Sequence, residues 1–164
     1  MAIVAAVGVL LINLVMPVNG VTQAVRSQDL VVVPDRFRGE IVRQVPLSNA
    51  NQAIALTFDD GPSEDITPQV LSILKDKQIQ ATFFVLGQNL KKYPEIGQQI
   101  LTDGHTLGNH TWHHWHLRMR EFIIAREIES TAKLIYQVTG VRTNLFRPPY
   151  GHRYNGLVDY ARKR

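Results

Sequence analysis

Two adjacent carboxylates, Asp59 and Asp60, lie where an apolar run ends and the chain turns. Residues 53–58 are mostly apolar and predict a buried parallel strand, and Gly61 and Pro62 break the chain after it. Burying either carboxylate costs free energy unless a cation or a hydrogen bond compensates. The pair therefore indicates a site for a cation or for proton transfer. The simpler interpretation is that both residues only turn the chain, because Asp-Gly sequences favour turns.

A histidine pair, His110 and His114, offers two imidazole ligands at a spacing of four residues. A helical turn would place both rings on the same side of the chain. With a carboxylate from Asp59 or Asp60 they would form a three-ligand site for a divalent metal, and zinc suits this ligand set best. The chain has six histidines, so chance proximity is the competing explanation. It has no cysteine, which excludes thiolate ligands and disulfides.

The third stretch, RPPYG at residues 147–151, combines an arginine with a stiff loop. The two prolines restrict the backbone and fix the direction of the loop. An arginine beside a carboxylate holds it ionised and oriented through paired hydrogen bonds. Peptide N–H groups in such a fixed loop can bind a developing oxyanion. By itself this stretch is weak evidence, since loops with two prolines are common.

Alternating strand and helix patterns surround these three stretches. Apolar runs predict strands at residues 53–58, 81–86, 105–110 and 144–146. Helices are predicted with Thr67 as N-cap and Pro68 at the first helical position, and over residues 94–102, 118–139 and 157–164. This alternation predicts parallel strands joined by right-handed crossovers, in an α/β doubly wound sheet or a barrel. The carboxyl ends of such strands share one rim, which would bring the three stretches together.

Taken together and in this order, the three stretches resemble the first three motifs of the polysaccharide deacetylases, the NodB-homology domain of the carbohydrate esterases. The motifs are TFDDGP at residues 57–62, HTxxH at 110–114 and RPPYG at 147–151, and the resemblance runs from about Asn51 to the C-terminus. It implies a distorted (β/α) barrel. It also implies a role for individual residues: Asp59 as general base; Asp60, His110 and His114 as metal ligands; Arg147 as the partner that positions Asp59; the backbone N–H of Tyr150 facing the oxyanion; and Pro149 and Tyr150 in contact with substrate.

The activity that the resemblance implies is removal of N-acetyl (or O-acetyl) groups from a polysaccharide such as peptidoglycan or chitin-like oligomers, with a divalent metal, best zinc, as cofactor. The family pattern continues with an Asp/Trp motif and a Leu-x-His motif whose histidine is the general acid, and neither precedes Arg164. Residues 51–164 are therefore expected to be the N-terminal part of the domain, a partial barrel that lacks its C-terminal strands. Two alternatives stay open: a non-catalytic carbohydrate-binding relic of the same fold, and an iron(II) oxygenase with two histidines and one carboxylate.

The rest of the sequence predicts an exported or membrane-anchored protein with one domain. The chain has 164 residues, 45% apolar and 20% charged, as in an ordinary globular domain. Residues 1–18 are almost wholly apolar and predict a signal peptide or a membrane anchor, and residues 19–50 predict a linker. The alternatives for residues 1–18 are a buried strand or part of a longer leader. The basic residues of 142–164 predict a solvated helix face, and no nucleic-acid motif is present. The partner that the resemblance implies is a polysaccharide.

Several aromatic and histidine residues are predicted to have structural roles or none. Trp112 and Trp115 have the shape to stack on sugar rings, but packing is the more frequent role of aromatic side chains. His105 is expected to be a structural histidine with its hydrogen bonds satisfied. No role is assigned to three loop histidines, His113, His116 and His152.

Overall fold

The computed structural model of the chain describes residues 34–45 and 54–164. The predicted signal peptide or anchor at residues 1–18 lies outside the described residues, as does most of the predicted linker at residues 19–50. Among the residues that are described, no helix is both long enough and apolar enough to cross a membrane.

A three-stranded parallel sheet forms the centre of the fold. Its strands are β1 (Thr57–Asp59), β2 (Thr82–Val85) and β3 (Thr106–Asn109), in the order β1-β2-β3. β2 is buried along its whole length, as expected for the central strand of a parallel sheet. The predicted α/β class with parallel strands is confirmed.

The strands are shorter than the apolar runs predict, and the predicted fourth strand at residues 144–146 is wrong as a strand. A single parallel bridge, between Asn109 and Phe146, forms there. The segment still lies along β3, because the Asn109 N–H donates to the Leu145 carbonyl at 2.8 Å and the Arg147 N–H donates to the Asn109 carbonyl at 2.9 Å. These bonds bring the RPPYG loop beside the end of β3.

The described residues contain five α-helices: α1 (Ile66–Asp76), α2 (Gly87–Lys92), α3 (Pro94–Thr102), α4 (Glu121–Thr139) and α5 (Leu157–Ala161). α3 has the predicted bounds, and α4 ends at Gly140, whose φ of 73° is left-handed. The predicted start of α1 is wrong, since Thr67 lies inside the helix and its Oγ1 accepts a hydrogen bond from the Ser63 N–H at 2.9 Å. α4 begins at Glu121 rather than at residue 118, α5 ends at Ala161 rather than at residue 164, and α2 has no counterpart in the predicted pattern.

The hydrophobic core packs helices α1 to α4 against the sheet. Its buried members include Leu71, Leu74, Phe83, Val85, Leu90, Ile100, Leu107 and Ile135. A second cluster joins α4 to α5 through Ile124, Ile128, Phe146, Leu157 and Tyr160. The sheet itself packs closely, because a Cβ at Gly108 would lie 2.5 Å from the Phe84 ring. Burial of each large apolar side chain stabilises the fold by about 1.5–3 kcal/mol, and together they fix the strand ends from which the site is built.

Candidate active site

The carboxyl ends of the strands meet at one edge of the sheet, and predicted site residues follow two of them directly. β1 ends at Asp59, and Asp60 follows with a left-handed φ of 70°. β3 ends at Asn109, and His110 is the next residue. The N–H of His110 donates to the carbonyl of Val85, at the end of β2, at 3.0 Å. Hydrogen bonding of the sheet thus holds His110 beside the carboxylates.

Asp60, His110 and His114 form a cluster whose ligand atoms all lie within 4.8 Å of one another. Asp60 Oδ1 is 3.5 Å from His110 Nε2 and 3.3 Å from His114 Nε2. Two atoms that share a tetrahedral zinc ion at about 2.1 Å each lie about 3.4 Å apart. The observed separations therefore fit one divalent cation. The Asp60 side chain is 62% exposed and that of His110 2%, so solvent reaches the cluster from the Asp60 side.

The orientation of His110 is fixed by a backbone group. Its Nδ1 lies 2.7 Å from the carbonyl oxygen of Arg147. A carbonyl only accepts hydrogen bonds, so Nδ1 carries the proton and Nε2 presents its lone pair to the cluster. Burial lowers the pKa of His110, against the opposing effects of the Arg147 carbonyl and the two carboxylates. The neutral imidazole that a metal requires is thereby favoured.

The predicted helical turn between His110 and His114 is wrong. Thr111 and His114 have left-handed φ values of 72° and 65°, which an α-helix excludes. The two rings nonetheless converge, with centroids 5.0 Å apart. The spacing of four residues therefore predicts the convergence correctly and the backbone conformation incorrectly.

Asp59 lies beside this cluster and is held by Arg147. Nη1 of Arg147 donates to Asp59 Oδ1, and it also donates to Thr57 Oγ1 at 3.0 Å. Asp59 Oδ2 is 3.8 Å from His110 Nε2. The Arg147 guanidinium is buried and stacks over Phe84, with Cζ 4.0 Å from the ring centroid. Arg147 therefore fixes one oxygen of the carboxylate and leaves the other near the cluster.

The RPPYG loop brings Tyr150 to the rim of the cluster. Tyr150 has a left-handed φ of 54° within a 3-10 turn, Pro149–Gly151. Tyr150 is 68% exposed, and its ring lies 4.7 Å from the His114 ring, centroid to centroid. Pro149 is buried. Of the two residues predicted to contact substrate, Tyr150 is the one that presents its side chain to solvent.

Two of the histidines without an assigned role lie around Tyr150. The ring centroids of His116 and His152 are 4.9 Å and 6.1 Å from that of Tyr150, and the two imidazoles lie 5.9 Å apart. The three rings therefore form one group of neighbouring aromatic side chains.

His105 lies at the opposite edge of the sheet, before the first residue of β3. Its Nδ1 accepts a hydrogen bond from the Ala81 N–H at 3.3 Å, while its buried Nε2 has no partner among the residues described. His105 is buried and hydrogen-bonded through Nδ1, as predicted. The prediction that both ring nitrogens have hydrogen-bond partners is wrong for Nε2. Burial lowers the pKa of His105, opposed by the nearby Asp103 carboxylate.

Glu127 is a buried carboxylate beside the candidate site, and the sequence pattern does not single it out. It is 1% exposed, on the mostly apolar buried face of α4, and its Oε1 lies 2.6 Å from Nδ1 of His113. The sequence contains a signal for such a residue. Glu127 lies three residues after Ile124, on the predicted core face of the helix, where a carboxylate is unusual unless it is paired.

Comparison with known proteins gives a consistent result. A family model described as polysaccharide deacetylase matches residues 48–164. The chain is 38% identical over 109 residues to a peptidoglycan-N-acetylglucosamine deacetylase of Bacillus cereus, covering 66% of this chain and 40% of that protein. It is 43% identical over 114 residues to the peptidoglycan-N-acetylmuramic acid deacetylase PdaC of Bacillus subtilis, covering 68% of this chain and 23% of that protein.

Solved structures agree with these matches. The structure of PdaC from Bacillus subtilis superposes with a TM-score of 0.63 at 40% identity, covering 66% of this chain and 54% of that one. The family 4 carbohydrate esterase from Streptomyces lividans, in complex with acetate, superposes with a TM-score of 0.65 at 32% identity, covering 69% and 59%. The chain thus spans between 23% and 59% of the length of these relatives. The prediction of a partial (β/α) barrel is confirmed.

Proposed function

The chain belongs to the polysaccharide deacetylase family, and from this we propose that it is a metal-dependent hydrolase that removes N-acetyl (or O-acetyl) groups from a polysaccharide. The observation that supports this most directly is the meeting of Asp60, His110 and His114 within 4.8 Å, with Asp59 beside them. The iron(II) oxygenase alternative loses its support, because the matched residues 48–164 include all four of these side chains.

The metal ligands in this proposal are Asp60, His110 and His114. Their separations fit one cation, and the proton on His110 Nδ1 leaves Nε2 free to bind it. Zinc suits two imidazoles and one carboxylate best. When bound, such a cation polarises the acetyl carbonyl and lowers the pKa of water.

Asp59 is the general base in this proposal. Arg147 holds one of its oxygens, so that Oδ2 faces the cluster 3.8 Å from His110 Nε2. From there Oδ2 accepts a proton from the attacking water, whose oxygen forms a bond to the acetyl carbon, and Asp59 later gives this proton up to the departing amine. The electron pair of the carbonyl moves onto its oxygen, which becomes an oxyanion.

Tyr150 supplies the backbone N–H that donates to this oxyanion. Its left-handed φ and the contact of its ring with His114 bring its peptide to the rim of the cluster. The tetrahedral intermediate then collapses, the carbon–nitrogen bond breaks, and acetate leaves together with a sugar amine that takes up a proton.

Peptidoglycan is the proposed substrate class, because the relatives of the chain in Bacillus are named for it. This polymer lies outside the cytoplasmic membrane, so the proposal includes export. The apolar residues 1–18 are the candidate signal peptide or membrane anchor.

The decisive experiment measures acetate release by the full chain, loaded with Zn²⁺, from purified peptidoglycan and from N-acetylglucosamine oligomers. We expect release from at least one polymer, and a loss of about 10²–10⁴-fold in Asp59→Asn, as is usual when a general base is removed. Metal content is measured in parallel for the wild type and for His110→Ala and His114→Ala.

Two results would contradict the proposal in different ways. Stoichiometric metal without acetate release from either polymer would favour the non-catalytic carbohydrate-binding alternative. Metal content that is negligible in the wild type, or unchanged when either histidine is replaced, would contradict the metal site itself.

A further inference from the structure

We propose that Glu127 is a positioning residue of the metal site, which holds the loop that carries His114 so that its imidazole faces Asp60. The inference rests on the proposed function, because it concerns the same site. Glu127 is 1% exposed and lies on the buried face of α4. It therefore acts through the loop and does not touch substrate.

Glu127 binds this loop through three hydrogen bonds. Its Oε2 accepts the N–H of Trp112 at 3.1 Å and the N–H of His113 at 2.8 Å. Its Oε1 lies 2.6 Å from Nδ1 of His113, and an ionised carboxylate only accepts, so that nitrogen donates. One side chain thus fixes two consecutive peptide units and one ring, and the next residue along the chain is the ligand His114.

The start of α2 fixes the same peptides from the other side. The N–H of Gly87 donates to the Thr111 carbonyl at 3.0 Å, and the N–H of Gln88 donates to the Trp112 carbonyl at 3.2 Å. The Trp112 residue is therefore held at its carbonyl by α2 and at its N–H by Glu127. A loop held at both faces of its backbone has little freedom to turn its next side chain away.

The loop needs this support because its backbone is strained at two positions. Thr111 and His114 have left-handed φ values, which cost free energy in residues that have a Cβ. Local side chains serve the outer N–H groups: Thr111 N–H donates to Asn109 Oδ1 at 2.9 Å, and His114 N–H donates to Thr111 Oγ1 at 3.1 Å. Glu127 serves the two N–H groups between them, so its loss would leave the middle of the loop without acceptors.

The position of Glu127 is one where packing alone would favour an apolar residue. It lies three residues after Ile124 and four before Thr131, both buried on the same face of α4. Replacing a buried charge by a well-packed apolar group is often neutral or stabilising. A carboxylate here is explained by the loop that it holds. Residues that orient a metal ligand in this way typically change metal affinity about 10- to 100-fold when they are replaced.

The chain provides its own spectroscopic probe of this loop. Trp112 and Trp115 are its only tryptophans, so intrinsic tryptophan emission reports on the loop alone. The Trp115 ring stacks on the His113 ring, with centroids 4.4 Å apart and planes 12° from parallel. Releasing His113 from Glu127 should therefore alter the emission of Trp115.

The test compares Glu127→Leu, Glu127→Gln and the control Glu129→Gln in the full chain. Glu129 lies on the same helix but is exposed and accepts from the Tyr160 hydroxyl instead. Zn²⁺ affinity is measured by competition with a chelator, and tryptophan anisotropy is measured without metal. We expect affinity to fall about 10- to 100-fold and anisotropy to fall in Glu127→Leu. Glu127→Gln keeps one acceptor oxygen, so its Zn²⁺ affinity and anisotropy should lie between those of the wild type and Glu127→Leu. Glu129→Gln should match the wild type in both.

Wild-type Zn²⁺ affinity and anisotropy in a folded Glu127→Leu chain would overturn the inference. If that variant does not fold, Glu127→Gln decides, because it conserves volume, and wild-type affinity there would likewise overturn it. Failure of the proposed function gives a different pattern, in which the wild type binds no Zn²⁺ or His114→Ala binds it equally well.

Discussion

At the scale of single residues, position 147 joins two parts of the site by two different chemical groups. The guanidinium of Arg147 holds Asp59, while its backbone carbonyl accepts from Nδ1 of His110 at 2.7 Å. The first contact depends on the side chain, and the second is available to any residue at this position. The proposed general base and the proposed metal site can therefore be tested separately by mutation.

Replacing Arg147 with methionine should reduce activity and leave metal binding unchanged. A hydrogen bond to a charged group contributes about 1.5–3 kcal/mol, so we expect kcat/KM for acetate release to fall about 10- to 100-fold. Arg142→Met is the control, because Arg142 is exposed and its guanidinium lies over Tyr136. Loss of bound Zn²⁺ from Arg147→Met would show that the carbonyl is not held in place independently of the side chain.

The sequence predicts which side chains meet at the candidate site, but it does not predict the backbone conformation that brings them together. Carboxylates and histidines at strand ends predict a metal site because parallel strands share a rim. The left-handed conformations of Thr111 and His114 are not encoded by glycine or asparagine at those positions, so the pattern suggests a helical turn instead. Glu127 is missed because its partners lie 14 and 15 residues away in a loop, beyond the reach of helical periodicity.

At the scale of elements, the start of α2 packs too closely against the loop at residues 111–114 for any side chain at Gly87. A Cβ at Gly87 would lie 2.4 Å from the ring of Trp112 and 2.6 Å from Oγ1 of Thr131. Gly87 has no unusual φ, so the requirement for glycine here is one of space.

The substitution Gly87→Ala should therefore destabilise the chain by about 1–3 kcal/mol, the usual range for overpacking a core. It should also weaken Zn²⁺ binding, because Trp112 must move and the loop moves with it. Urea unfolding and Zn²⁺ titration measure the two effects. Gln88→Ala is the matched control, since Gln88 is exposed and contributes its backbone N–H alone, and a Gly87→Ala chain as stable as this control would refute the packing argument.

Helix ends that have a proline or glycine signal in the sequence are predicted well. Elements that form through tertiary contacts are not. α3 and the end of α4 follow from Pro94 and Gly140. α2 lacks an apolar stripe and begins with glycine, and it forms because Gly87 and Leu90 are buried. Residues 144–146 read as a strand, but the prolines that follow Arg147 restrict extension of the ladder to one bridge.

At the scale of the whole molecule, stability should depend on pH through His105, at the edge of the sheet opposite the site. Burial lowers its folded pKa below the value of about 6.5 expected in the unfolded chain. As pH falls through that range the unfolded chain takes up a proton that the folded chain does not, so the free energy of unfolding falls. Above about pH 7.5 this contribution disappears, because His105 is neutral in both states.

Comparison of the wild type with His105→Gln checks this. Urea unfolding of metal-free protein between pH 5 and pH 8 should give a shallower loss of stability at acid pH for the variant. Parallel curves would mean that protonation of His105 is not coupled to folding, in spite of its burial and the hydrogen bond that its Nδ1 accepts from Ala81.

The fold class follows from the alternation of strands and helices because right-handed crossovers leave few arrangements for parallel strands. Hydrophobic packing of the helices against the sheet then brings the three motifs to one rim, and the motif residues need not contribute to this packing. The pattern does not predict long-range polar contacts, such as the one from Arg147 to Thr57 across 90 residues, because local periodicity carries no information about partners so far apart in the sequence.

The contact between the Arg147 carbonyl and His110 has a consequence for how such a protein can diverge. Every amino acid at this position supplies the backbone carbonyl, whereas the guanidinium is lost when Arg147 is replaced. A substitution can therefore remove the contact with Asp59 and retain the contact with His110. Under the proposed function, a single codon change at 147 would slow hydrolysis in a descendant and leave its metal ligands in place. A lineage would in this way take its first step from an enzyme towards a protein that binds metal without turnover.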